Sequence, residues 1–295
     1  MAIFKEKKKV EIRTVSTAAE VSPLRPQYIE KTPPCIGHCP VGTEIRKWLV
    51  LIAQAEAYGR TYPEAYRAAW EIITDRNPLP AVCGRVCPHP CEDHCNRKHK
   101  DGAVAINALE RFIGDYAIQQ GWKFTKLTEE RQPEPVAVIG SGPAGLSCAY
   151  QLARRGYSVT IFEAFRQPGG MLRYGIPKYR LPRDILDAEI QRILELGVEL
   201  RTGVVVGKDI SLEELRRQYP AIFVGIGAHR GLRLGVPGED APNVWTGTEF
   251  LNKVNSGESV DVGKRVLVIG GGDTAIDAAR VSRRLGAEVT IVYRR

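Results

Sequence analysis

No uninterrupted apolar run in the 295-residue chain reaches the 18 or so residues that a membrane-spanning helix needs, which excludes such a span. The opening stretch, MAIFKEKKK, lacks the apolar core of a secretory signal. No segment interleaves aromatic and basic residues as nucleic-acid binders do. The formal charge of +8 is dispersed apart from Lys5 to Lys9, and that head reads as a solvated tail rather than a nucleic-acid arm. Neither a Ser/His/Asp set nor a pair of facing carboxylates is visible, so ordinary hydrolytic chemistry has no carrier. These absences point to a cytoplasmic protein. Disulfides are unexpected there, and clustered cysteines suggest metal.

Apolar content of 43% and charged content of 26% suit a globular chain with enough length for two domains. Its organising stretch is Val136 to Glu163, VAVIGSGPAGLSCAYQLARRGYSVTIFE. A short apolar strand runs into Gly140, Gly142 and Gly145, the G-x-G-x-x-G spacing at the mouth of a helix. Gly140 serves a tight turn, Gly142 lets backbone approach a pyrophosphate, and Gly145 lets the helix pack close to the sheet. Pro143 and Ala144 open that helix, whose free N–H groups attract phosphate. A second strand ends in Glu163, placed to accept hydrogen bonds from a ribose 2′-hydroxyl. Strand, turn, helix, strand and acid in register predict a dinucleotide site.

Six of the seven cysteines fall between Cys35 and Cys95. PPCIGHCP holds Cys35 and Cys39, and VCGRVCPHPCEDHC holds Cys83, Cys87, Cys91 and Cys95. Between the groups, Glu44 to Trp70 has the apolar spacing of two helices that would bring the groups together. Thiolates repeated at short spacing beside prolines are how chains hold iron–sulfur clusters. Structural zinc is the competing reading, with His38, His89 and His94 available as ligands. Cys148, on the helix after the glycine turn, reads as a buried small apolar residue.

PLPAVCGRVCPHPCEDHC, then GAVAINALERFIGDYA (Gly102 to Ala117), then the glycine turn, together resemble the glutamate synthase small subunit family. The chain is also similar to the N-terminal half of dihydropyrimidine dehydrogenase and to the large subunit of NADH-dependent ferredoxin:NADP oxidoreductase. The resemblance runs from about residue 30 to the end. It implies an α/β chain: an all-α 4Fe–4S domain, then tandem Rossmann-like FAD and NAD(P)H domains, the second incomplete. By that resemblance one 4Fe–4S cluster falls on Cys39, Cys87, Cys91 and Glu110. A second would use Cys35 and Cys95 with two upstream cysteines, but Gln27 and Glu30 stand there. That cluster is either absent or takes an atypical ligand such as Cys83 or a histidine. The plain alternative for Glu110 is a solvent-facing acid paired with Arg111 or Lys123, and for Cys83 a structural role.

Residues 1–34 read as an extended arm, 35–124 as the cluster domain, 125–135 as a linker, 136–260 as the first part of the FAD domain, and 261–295 as the start of the NAD(P)H domain. QPGGMLRYGIPKYRLP, with Gly170, Met171, Leu172 and Gly175, suits backbone lying tight against a flat ligand. In the resembling proteins it packs near the flavin ring and pyrophosphate. Val198 to Val206 is strand-like, and in related flavoproteins the turn at Gly225 and Gly227 touches the cofactor; GVPGED (Gly235 to Asp240) and TEFL (Thr248 to Leu251) mark the crossing to the next domain. No thiol pair sits where a disulfide reductase carries one beside its flavin.

Val266 to Tyr293 then repeats Val136 to Glu163 position by position. Gly270, Gly271, Gly272, Asp273, Thr274 and Ala275 form the second turn, and Tyr293 replaces Glu163. Arg294 and Arg295 follow, suited to a 2′-phosphate and hence to NADPH, or else simply an exposed basic chain end. The resembling proteins continue well past this point, so the segment alone is expected to turn over NADPH slowly or not at all. The reading is an NADPH-oxidising electron-input module that works with a redox partner subunit or the missing C-terminal part, without nucleic acid. Alternatives are a subunit serving a ferredoxin or sulfur-metabolism enzyme, and a non-catalytic scaffold binding nucleotide and zinc.

Overall fold

The computed structural model describes residues 31–294. Most of the N-terminal arm, Gln27, Glu30 and Arg295 lie outside the described residues.

The cysteine region is all helical: α1 (Pro34–Gly37), α2 (Ile45–Ala53), α3 (Tyr62–Arg76), α4 (Pro80–Val86), α5 (Pro90–Asp93) and α6 (Ile106–Gln119). Prolines at the first turns of α1, α3, α4 and α5 fix entry where no intrahelical N–H is needed. Thr61 and Glu64 cap α3 reciprocally. The two helices expected over Glu44 to Trp70 are α2 and α3, separated by a 3₁₀ turn at Glu56–Tyr58. α4 and α6 approach at glycines: a Cβ on Gly84 would overlap Arg111, and one on Gly114 would overlap Ala81.

The first nucleotide fold is β1 (Val136–Ile139), α7 (Pro143–Ala153), β2 (Val159–Glu163), α8 (Met171–Tyr174), α9 (Arg183–Leu194), β3 (Glu199–Thr202), α10 (Leu212–Gln218) and β4 (Ala221–Val224). Its sheet is parallel in the order β3-β2-β1-β4, with Val136 opposite both Val159 and Ala221. β1 and β2 are buried along their whole length, as central parallel strands are. The strand expected over Val198 to Val206 shrinks to β3, because Gly203 turns the chain at φ +72° and Val206 keeps only an isolated bridge to Ile210. Linker residues hydrogen-bond the end of α7, Leu127 N–H to Arg154 and Gln132 N–H to Gly156.

The second fold holds α11 (Gly247–Asn255), β5 (Arg265–Ile269), α12 (Asp273–Arg284) and β6 (Glu288–Val292), with β5 and β6 parallel. TEFL, read from sequence as a crossing, is part of α11, capped by Thr246. Phe250 and Leu251 pack with Ala278 and Val281, so α11 shares its core with α12. Among the described residues no helix is long and apolar enough to cross a membrane.

One core joins the cysteine helices to the first nucleotide fold. Trp70 stacks on Phe124 (5.3 Å), Phe124 meets Tyr150 edge-on (4.6 Å), and the Tyr150 hydroxyl donates to the Thr74 carbonyl at 2.6 Å. Trp70 and Tyr150 are each about 1% exposed. Large buried side chains of this kind contribute roughly 1.5–3 kcal/mol apiece, and the first nucleotide fold has a second core of its own around Phe162, Leu215 and Tyr219.

Candidate functional site

The glycine turn is built as its spacing predicts. Gly140 has φ +97°, and a Cβ there would lie 2.5 Å from the Gly225 carbonyl oxygen. A Cβ on Gly145 would overlap the Gly140 carbonyl oxygen. Gly170, at φ +51°, brings its α-carbon so near Gly142 that a Cβ would come within 2.7 Å of the Gly142 α-carbon. The three stretches singled out in the sequence, 140–145, 169–175 and 225–227, thus converge on one cradle lined by bare backbone. Pro143 and Ala144 open α7 behind the Gly142 cap, while Met171 and Leu172 lie in α8 and Gly175 caps its end. Gly227, at φ +67°, continues the turn after β4. A cradle that side chains would fill fits the phosphates and flat ring of a dinucleotide.

Glu163 is only 4% exposed and faces this turn. It accepts hydrogen bonds from the Ser141 N–H (2.8 Å), the Ser141 hydroxyl and the Phe165 N–H (2.8 Å). Ser141 carried no signal in the sequence beyond its place between two glycines. Nearby, the His229 ring meets Phe165 at 5.0 Å, and its Nδ1 is buried with no hydrogen-bond partner among the described residues. An orphaned ring nitrogen beside the cradle is another polar group left for a ligand.

The second turn repeats the geometry. Gly270 has φ +127° and its N–H donates to Val292, Gly272 caps α12, and Asp273, Thr274 and Ala275 form the first turn. Gly271 packs under the Tyr293 ring, and Arg294 is exposed.

The cysteines converge as well. Cys39, Cys87, Cys91 and Glu110 are electrostatic neighbours, as are Cys35 and Cys95. Desolvation pushes the Cys91 thiol up to about 12, with Cys39, Glu92, Cys87 and Glu110 adding to the rise, and it raises Cys35 and Cys87 too. The Glu110 carboxyl is pushed up to about 7 by burial, opposed by the Asn77 amide that donates to it at 2.9 Å. Arg111 and Lys123, its sequence-level alternative partners, pair with Asp115 and Glu195 instead. Such a set of half-buried sulfurs and a carboxyl, short of positive charge, fits a cationic cluster that would draw off the thiol protons.

Among the described residues no three His, Cys, Asp or Glu side chains converge tightly enough for one metal ion. Zinc would need its sulfurs about 2.3 Å from a common centre, whereas a cuboidal cluster holds its ligands farther apart. His89, at φ +45°, donates its N–H to Cys87 Sγ at 3.3 Å, a contact of the kind that tunes cluster potential. Cys83 donates to Asn77 Oδ1 at 3.6 Å, beside Glu110 and Cys87, and burial raises its thiol well above the usual range. Cys148 is half-buried at the edge of the common core.

Comparison with known proteins gives a family match for each of the two regions. The family model of the pyridine nucleotide-disulphide oxidoreductases matches residues 134–295. The chain belongs to that family. A second family model, dihydropyrimidine dehydrogenase domain II with a 4Fe–4S cluster, matches residues 8–122. FAD and NAD(P)H are the cofactors that go with the first match, and a 4Fe–4S cluster with the second.

Among relatives, the NADPH-Fe(3+) oxidoreductase subunit beta of Geobacter sulfurreducens is 42% identical over 91% of this chain and 40% of its own length. The NADP(+)-dependent formate dehydrogenase subunit beta of Moorella thermoacetica is 42% identical over 90% of this chain and 40% of its own. The Escherichia coli glutamate synthase [NADPH] small chain is 38% identical over 89% and 57%. The chain therefore spans between two-fifths and three-fifths of the length of these three relatives.

Proposed function

We propose that this chain is the electron-input part of an NADPH-dependent iron–sulfur flavoprotein oxidoreductase that serves a partner subunit. The observation that carries the reading is the joining of two sites through one core: the glycine cradle of residues 140–145, 170 and 225, and the sulfur cluster of Cys39, Cys87, Cys91 with Glu110. A bound FAD supplies the exchange between two-electron hydride chemistry and one-electron transfer, and a bound 4Fe–4S cluster accepts single electrons. The chain's own work is positional. The α7 N-terminus and bare glycines receive the FAD pyrophosphate, and Glu163, steadied by Ser141 and Phe165, meets the adenosine ribose. The α12 turn, Gly270 to Ala275, receives the pyridine nucleotide. Tyr293 in place of an acid, followed by Arg294, favours a 2′-phosphate and so NADPH over NADH.

The names of the relatives support several acceptors, among them the ferric iron, formate and glutamate synthase systems. The partner is thus proposed only as a redox subunit.

The experiment is an anaerobic purification of the full-length gene product, with iron and flavin counted per chain and NADPH added to the oxidised protein. One FAD, about four irons per chain and bleaching of the flavin absorption by NADPH are expected. Cys83→Ser should keep the iron and Cys87→Ser should lose it. A colourless, zinc-loaded protein, or a flavin that stays oxidised with NADPH, would refute the reading and favour the nucleotide- and zinc-binding scaffold.

A further inference from the structure

The cysteine region uses one turn twice. Pro34-Cys35-Ile36-Gly37-His38-Cys39 and Pro90-Cys91-Glu92-Asp93-His94-Cys95 share the pattern P-C-x-x-H-C, and each folds into a single helical turn, α1 or α5, with the histidine at its C-cap. Each histidine sends its Nδ1 back to the proline carbonyl four residues earlier, at 2.9 Å for His38 and 3.0 Å for His94. The two rings then stack face to face, centroids 3.5 Å apart and planes 8° from parallel. Parallel stacked imidazoles cannot aim both lone pairs at one ion, so the pair is not a metal site. Both histidines are exposed, and His38 adjoins Cys39 while His94 adjoins Cys95. The stack is a flat, polar surface beside the sulfur cluster.

The charges around the stack that lack an ion-pair partner among the described residues are basic. Arg46 and Lys47 lie in the first turn of α2, three and four residues beyond Thr43, whose hydroxyl lies 3.9 Å from the Cys39 sulfur. Arg97, Lys98 and Lys100 occupy the turn that follows Cys95, held by Lys98 N–H to the Cys95 carbonyl. All five are exposed. The nearby acids are engaged: Asp93 pairs with Lys98, Asp101 with Arg97, and Glu92 accepts the Asn107 N–H at 2.7 Å. Arg46, Lys47 and Lys100 have no carboxylate in ion-pair range among the described residues.

We infer that the stacked His38–His94 pair and its basic rim are the docking face for a redox protein that presents an acidic patch. This rests on the reading of Cys39, Cys87, Cys91 and Glu110 as cluster ligands. A partner seated on the stack comes within reach of the cluster's ligand backbone. It takes one electron per encounter, its own ferric iron being reduced as the donor is oxidised by one electron, and no proton moves. Charge complementarity of this kind steers encounter and sets register, and weakens as salt shortens the screening length.

The test is equilibrium binding of the full-length oxidised holoprotein to an acidic plant-type [2Fe–2S] ferredoxin, with basic cytochrome c as the opposite-charge control. No nucleotide is needed, so failure of NADPH oxidation and failure of docking are read separately. Binding of the ferredoxin is expected to weaken tenfold or more between about 0.05 M and 0.5 M salt, and by at least as much in the double variant Lys47→Glu/Lys100→Glu. That variant should gain affinity for cytochrome c while keeping its iron content. Electron transfer from the dithionite-reduced protein to ferredoxin should slow in the variant, and transfer to a small uncharged quinone should not. Ferredoxin affinity indifferent to the charge reversal would overturn the inference. So would equal binding of cytochrome c by the unaltered protein, or capture of a single-stranded oligonucleotide in preference to ferredoxin.

Discussion

Glu189 offers the sharpest test of how the two halves are joined. It lies on α9 with no exposed surface, and its two oxygens accept the Ala81 and Val82 N–H groups at 3.0 Å each. Those are orphan donors of the first turn of α4, the helix that runs toward Cys87. Burial pushes the carboxyl up to about 8; the two N–H groups and Arg192 pull it down, and Glu110 adds a smaller push upward. Glu189→Ala leaves both donors buried and unpaired, a loss on the order of 2–5 kcal/mol.

The pH dependence has a definite sign. The folded protein holds this proton until about pH 8, while an unfolded glutamate releases it near 4.5. The stability that Glu189 contributes is therefore complete below 4.5 and is lost as pH rises through about 8, by at most about 5 kcal/mol. Glu189→Gln stays neutral throughout and removes that slope. Urea unfolding of the two proteins from pH 5 to 8.5, followed by tryptophan fluorescence, is the assay. Trp70 is a local reporter, since Arg192 sits 5.3 Å from its ring. The stability difference should drift against the unaltered protein by 2 kcal/mol or more (roughly half of that ceiling). Parallel curves would mean that Glu189 is ionised throughout, held by Arg192 and the helix N-terminus, and the argument from burial would fail.

Two other perturbations follow from close approach and from buried charge. Gly145→Ala forces a methyl into the Gly140 carbonyl, so the full-length protein should purify without flavin, seen as loss of absorption near 450 nm; stoichiometric flavin would refute it. Asp277, 4% exposed, pairs with Arg180 at 2.5 Å and accepts from the Tyr179 hydroxyl at 3.2 Å, tying the GIPKYRLP stretch to α12. Asp277→Asn should cost about 3 kcal/mol, read as a lowered melting temperature, and Arg180→Lys should cost less.

What could be read from the sequence was what the chain encodes locally. The glycine turn, its helix and the acid that ends β2 lie within 28 consecutive residues, and Gly140 and Gly145 each answer a clash with backbone in the turn or just across it. The P-C-x-x-H-C repeat was equally local and could have been found, although the stacking it produces depends on how α1 and α5 meet. The buried polar contacts between residues distant in the chain were beyond reach. Glu189 finds its donors 107 and 108 residues away, Asp277 finds Arg180 at 97, and Asn77 finds Glu110 at 33.

No pattern marks such partners, because a buried carboxylate on an amphipathic helix looks in sequence like any exposed one. The errors in element boundaries share that origin. TEFL reads as a crossing until Phe250 and Leu251 are seen to need the apolar face of α12, and β3 ends early because Gly203 turns the chain. The chemistry of this chain is thus written in short motifs, while the alignment of those motifs across its common core is set by single buried polar groups that only the folded structure identifies.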